Sequence, residues 1–220
     1  MAEKILKAKH WQLFIVIFAA PMLIIMIAYG IMIGNIVNVL ENQSTPDPQV
    51  IVGMMTNVFS IMLPITLIML VINVLWQWSL GITLQNYITE ELRRKATFFK
   101  ITILFPILYF TIILVIMGNV SSLMLDEGSM KNPPNDLPFN PIWFAAIFPF
   151  HFFAIFCQFH NFYYAAKTVK IAEFQKPAKL GDFIGELLLL WIYPIGVWII
   201  QPKVNEIAER EPEESFVVTD

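Results

Sequence analysis

The chain has 220 residues, 57% of them hydrophobic and only 14% charged, with a mean hydropathy of +0.66. A soluble domain usually carries about 25% charged residues. The composition therefore excludes an ordinary soluble domain and places the chain in a bilayer. The net charge of −3 discriminates little, because the charges are sorted by segment.

The N-terminal stretch MAEKILKAKH resembles the basic flank of a signal peptide, but the apolar run after it is too long for a cleaved signal and no small-x-small site closes it. It reads as a retained first span. Five apolar runs follow in order, over 11–34, 59–84, 98–125, 142–166 and 183–201. Each reaches or approaches the roughly 20 residues that a spanning helix needs. The predicted fold class is thus an all-α integral membrane protein, a bundle of four to five transmembrane segments.

Lysines and arginines set the orientation. Lys4, Lys7 and Lys9 precede the first run, Arg93, Arg94, Lys95 and Lys100 lie around the second loop, and Lys167, Lys170, Lys176 and Lys179 follow the fourth run. The first loop has none and the third only Lys131. The positive-inside rule puts the N-terminus in the cytoplasm, and short loops fit a bacterial inner membrane. Asp47-Pro48 and Asn140-Pro141 each read as an N-cap followed by proline at the first helical position.

The fifth run, FIGELLLLWIYPIGVWII, is about 27 Å long as a helix at 1.5 Å per residue, just enough to cross. Pro194 and Gly196 kink it as a span or form the tip of a re-entrant hairpin, and both readings stand. Glu186 is the one acid inside a run. It is expected to pair with a loop lysine such as Lys179 or to cap the helix start, with a proton or cation site as the alternative.

Each run holds a proline that bends its helix: Pro21, Pro64, Pro106, Pro149 and Pro194. Pro21 to Pro106 and Pro64 to Pro149 are both 85 residues apart. Near that offset IMIGNIVNVLE (31–41) lies over IMGNVSSLMLD (116–126), and ELRRKA (91–96) over EFQKPA (173–178) at 82. The expectation is a duplicated helical hairpin, 1–90 and 91–179, followed by a fifth element over 180–203 and an acidic flexible tail over 204–220. Two spans per copy predict a pseudo-two-fold along the membrane normal.

The intramembrane polar residues fall into two stripes. Thr66, Asn73 and Gln77 share one helical face. On the fourth run His151 and Gln158 share another, with Asn161 about a quarter turn away. Facing stripes would line a polar path; otherwise they are hydrogen bonds between helices. Gly30 with Gly34, and Gly181 with Gly185, form two small-residue pairs that allow backbones to approach. Cys157 with His160 offers too few ligands for a metal, and no pair of facing histidines suits a haem, so no cofactor or metal is expected. The P-loop, GxGxxG, HExxH and GxSxG patterns are absent, as is a basic aromatic surface for nucleic acid. PIGVWIIQPKVN (194–205) stands out as distinctive without an attached activity.

These features lead to a non-enzymatic membrane component, with the lipid bilayer and a second copy or another membrane protein as partners. The alternative is a small-solute or ion transporter using the Asn, Gln and His stripes, and the third reading is an intramembrane enzyme.

Overall fold

The computed structural model describes residues 2–42, 48–124 and 141–210, and among these every regular element is helical. A short α1 (Ala2–Leu6) turns into α2 (His10–Phe14), which continues through a π-helical turn (Ile15–Ala19) into α3 (Ala20–Asn42). Helix α4 (Pro48–Gly81) is followed by two 3₁₀ turns (Thr83–Tyr87 and Glu90–Leu92), then α5 (Thr97–Met124) and α6 (Pro141–Phe174). The chain closes with α7 (Leu180–Trp191) and α8 (Tyr193–Ala208).

Three helical stretches are long and apolar enough to cross a membrane: His10–Glu41, Thr56–Tyr87 and Thr97–Ile116. They form because long runs of Leu, Ile, Met and Val lack charge, and their backbone groups can be satisfied only within the helix once water is gone. Helix α3 packs along α4, and α5 along α6.

The prolines behave in three ways. Pro64, Pro106 and Pro149 lie inside α4, α5 and α6. Pro21 follows the π-helical turn, whose C-cap N–H, from Ala20, reaches back five residues to the Ile15 carbonyl. Such a widened turn makes room for a ring that would crowd the carbonyl four residues earlier. Pro194 departs from the expectation of a bend within one segment. It sits in the first turn of α8, where no N–H is required.

The fifth run is accordingly two helices, broken at Ile192 (φ −95°, ψ 60°). Ring contacts give their directions. Phe183 of α7 meets Tyr163, and Trp191 meets Phe159, so α7 runs antiparallel to α6. Tyr193 of α8 meets Phe18, and Trp198 meets Phe14 and His10, so α8 returns alongside the N-terminal helix. The result is a tight helical hairpin with its tip at 191–193. Gly196 makes it possible, since a Cβ there would lie 2.0 Å from the Leu189 carbonyl oxygen.

One further expectation changes. Residues 204–208, assigned to a flexible tail, continue α8, because Val204, Ile207 and Ala208 are buried in the main apolar cluster. Residues 211–220 lie outside the described residues. Helices α4 and α6 begin 93 residues apart while their internal prolines are 85 apart, so the proline offset does not carry through to the helix ends.

The hairpin yields the first test. Gly196→Ala should destabilise the fold by about 3 kcal/mol or more, at the upper end of overpacking costs, because main chain cannot yield. Gly30→Ala, with nothing within 4 Å of the added methyl, should leave thermal unfolding in detergent unchanged. Equal unfolding temperatures for the two variants would contradict the hairpin.

Candidate functional site

The most densely tied part of the molecule is where α1, the 82–96 connection, the C-terminal half of α6 and the α7–α8 hairpin meet. Leu6, Trp76, Leu84, Ile88, Val169, Phe183, Ile200 and Val204 are among the buried side chains of its core. Polar side chains thread this core, and three glutamines organise them.

Gln201 is fully buried. Its Nε2 donates to the carbonyls of Leu6 (2.8 Å) and Ala8 (3.0 Å), and its Oε1 accepts from Trp76 Nε1 (2.9 Å). Asn205, one turn on, donates from Nδ2 to the same two carbonyls at 3.2 Å. These carbonyls belong to the end of α1 and the turn after it, where no following helical turn serves them. The distinctive PIGVWIIQPKVN segment is therefore a clamp on the N-terminal turn.

Gln85 donates from Nε2 to the Gly81 carbonyl (2.8 Å) and the Tyr164 hydroxyl (2.9 Å), and accepts the Arg94 backbone N–H (2.8 Å). Gln175, at φ +51°, ends α6; its Nε2 donates to the Tyr87 carbonyl (2.6 Å) and its Oε1 accepts the Thr89 N–H (3.1 Å). Together they pin the 82–96 connection to α6.

Glu186 faces the opposite strand of the hairpin and α6. Its Oε1 accepts from Lys203 Nζ (3.0 Å) and Lys170 Nζ (3.1 Å), and Lys170 also bonds Glu173 (3.0 Å). Burial alone would push the Glu186 carboxyl up, but the bonds from Lys203 and Lys170 outweigh it and hold the group below its ordinary range. Burial alone would lower the Lys170 ammonium, and the bonds to Glu173 and Glu186 hold it above its ordinary value. Two carboxylates, Glu173 and Glu186, thus meet two lysines, Lys170 and Lys203. The expected partner Lys179 is replaced by these lysines because it is exposed at the start of α7, two helical turns or about 11 Å from Glu186.

The two predicted stripes do not bond to each other among the described residues. Thr66 Oγ1 returns its hydrogen to the Met62 carbonyl one turn back (2.8 Å). Gln77 Nε2 donates to Asn73 Oδ1 (2.5 Å) on the same helix. Asn161 turns to α5: Thr102 Oγ1 donates to Asn161 Oδ1 (2.8 Å), and Asn161 Nδ2 donates back to the Thr102 carbonyl (3.2 Å). His151 Nδ1 lies 3.1 Å from the Tyr109 hydroxyl, also on α5. Gln158 is half-buried on α6. One atom stands apart: Gln77 Oε1 is buried with no hydrogen-bond partner.

No cluster of three or more His, Cys, Asp or Glu able to hold a metal occurs among the described residues. Among the described residues neither small-residue pair packs within the chain, since nothing lies within 4 Å of an added methyl at Gly30, Gly34, Gly181 or Gly185. No protein family, curated protein or solved structure matches the chain.

Reading the sequence missed Gln85, Gln175, Gln201 and Asn205, whose signal is an amide in or beside an otherwise apolar run. Replacing Gln201 by Leu keeps the volume, orphans the Trp76 N–H and leaves the Leu6 and Ala8 carbonyls to Asn205 alone. At roughly 1–3 kcal/mol for a buried unsatisfied group, the variant should lose about 1–3 kcal/mol. Amide exchange should rise at 5–13 before any other helix. Unchanged exchange there would show that the clamp does not hold the N-terminus.

Proposed function

We propose that the chain is a multi-pass integral membrane component, not an enzyme, that packs with itself or with another membrane protein in a bacterial inner membrane. The observation that carries this reading is the bareness of its spans. Only 17%, 12% and 28% of the most apolar windows of the three crossing stretches are buried within the chain. Faces carrying Leu23, Met26, Ile68, Ile101 and Leu108 are exposed, and surface so apolar calls for lipid or protein cover.

In this reading α6 supplies a fourth span from its 142–166 portion, and the N-terminus is cytoplasmic. The α7–α8 hairpin is re-entrant. Its tip meets Phe18, eight residues past the start of the first crossing stretch, which is about 12 Å of helix. A hydrocarbon core is about 30 Å thick, so the hairpin enters and turns back, as membrane-depth turns do when protein covers them. The glutamine-tied cap then lies at the cytoplasmic surface, with the lysines and arginines of the loops. The two hairpins α3–α4 and α5–α6 are the units of an ancestral duplication, a reading supported by the proline and Gly-Asn spacings.

The polar residues act as packing contacts in this account. Asn161–Thr102 and His151–Tyr109 join α6 to α5, and such bonds average about 0.6 kcal/mol in membranes. A second reading, a small-solute or ion transporter, draws on one observation: the buried unpaired Oε1 of Gln77 is an acceptor that water or a passing solute would satisfy.

Orientation provides the test. Single cysteines at Ser44 and at Lys131, in a Cys157→Ser background, should react in intact cells with an impermeant maleimide. Reaction at either site only after lysis would reverse the topology. Gln77→Leu should leave assembly intact and change no solute-dependent phenotype; lost uptake in a folded Gln77→Leu protein would favour the transporter.

A further inference from the structure

The cytoplasmic end of α6 carries an unbalanced pair of cations. Arg94 stacks its guanidinium 4.1 Å from the Tyr164 ring and reaches within 5.9 Å of Tyr163. Lys167 brings its ammonium within 5.9 Å of the same Tyr163 ring. Arg94 uses Nη1 on the Tyr164 carbonyl (3.0 Å), and its remaining side-chain N–H groups have no partner among the described residues. The ion pairs there engage Lys7, Lys170 and Lys203, and neither Arg94 nor Lys167. The two cations thus approach one tyrosine with no acid paired to either among the described residues, in contrast to the Glu186 cluster nearby.

Below these cations the exposed surface is apolar. Phe159, Tyr163 and Lys167 are four residues apart on α6 and form one stripe, and Phe159 and Tyr163 are 47% and 36% exposed. The adjoining α7 exposes Ile184 (47%) and Trp191 (59%). Ring contacts Phe159–Trp191 and Tyr163–Phe183 pack the two helices together. A phenylalanine, then a tyrosine, then a lysine, in order along one stripe, match the acyl, interfacial and headgroup levels of a membrane leaflet.

We propose that Arg94 and Lys167 bind the phosphate of an anionic glycerophospholipid whose acyl chain lies along the exposed apolar surface of α6 and α7. The guanidinium supplies directed N–H donors and the ammonium a mobile point charge. Both cations approach the Tyr163 ring, and the apolar surface beside it selects a lipid over free phosphate. The site rests on the membrane reading above, with this end of α6 at the cytoplasmic leaflet, where anionic lipids lie.

The full chain and the variants Lys167→Gln, Lys167→Glu and Arg94→Gln, each purified in detergent, are titrated with phosphatidylglycerol and with phosphatidylcholine and followed by native mass spectrometry. The wild type should hold phosphatidylglycerol more tightly. Lys167→Gln should weaken it about fivefold, the effect of one interfacial charge, with phosphatidylcholine unmoved, and Lys167→Glu should abolish the preference. Arg94→Gln removes the tie to the Tyr164 carbonyl; if it fails to fold, the two Lys167 variants decide, since Lys167 makes no hydrogen bond among the described residues. Equal affinity for both lipids in the wild type, or full preference in Lys167→Glu, overturns the site. Displacement of phosphatidylglycerol by millimolar inorganic phosphate overturns the lipid as the source. A chain that stays folded and soluble without detergent overturns the membrane reading itself, a different outcome from micelle-bound protein that binds both lipids alike.

Discussion

A buried backbone carbonyl has to be bonded, and the turn after α1 exposes several with no helix to serve them. Gln201 and Asn205 meet that demand from the far end of the chain. One amide, Gln201, joins three elements at once, because its other end takes the Trp76 N–H of α4. Removing it would leave the Trp76 N–H stranded in a core of Leu6, Leu80 and Ile200, where water cannot replace the lost partner.

That tie sets the course of the C-terminal segment. With Gln201 beside Leu6, α8 has to run back along the N-terminal helix, and its start at Tyr193 has to lie deeper than its end. The Glu186 carboxylate, shared by Lys170 and Lys203, locks the two arms of the hairpin to each other and to α6. Farther along the spans, Thr102 joins Asn161 and His160, and Tyr109 joins His151, tying α5 to α6. Much of the most apolar surface of the crossing stretches stays exposed, which is the observation on which the proposed packing role rests.

Much of the span layout was legible because length and apolarity are local properties. The crossing stretches His10–Glu41, Thr56–Tyr87 and Thr97–Ile116 begin beside runs 11–34, 59–84 and 98–125, although the first continues well past the end of its run. Helical spacing also told which polar groups share a face. It could not tell what each face meets: Asn161 and His151 turn to α5, and Asn73 turns to Gln77 on its own helix. The break at Ile192 was ambiguous because a kinked span and a hairpin use the same proline and glycine. The ring contacts of α7 and α8 and the close approach of Gly196 to Leu189 separate them. Gln201 was hidden most deeply, since the carbonyls it serves lie more than 190 residues away and no periodicity connects them.

The central claim is that the hairpin returns the chain to the side from which it began. Single cysteines at Glu3 and at Glu209, in the Cys157→Ser background, probe it directly in right-side-out and inverted vesicles with an impermeant maleimide. The account predicts that both positions react in inverted vesicles and neither in right-side-out ones. Reaction of the two positions from opposite sides would make 183–201 a fifth span and contradict the Gln201 tie.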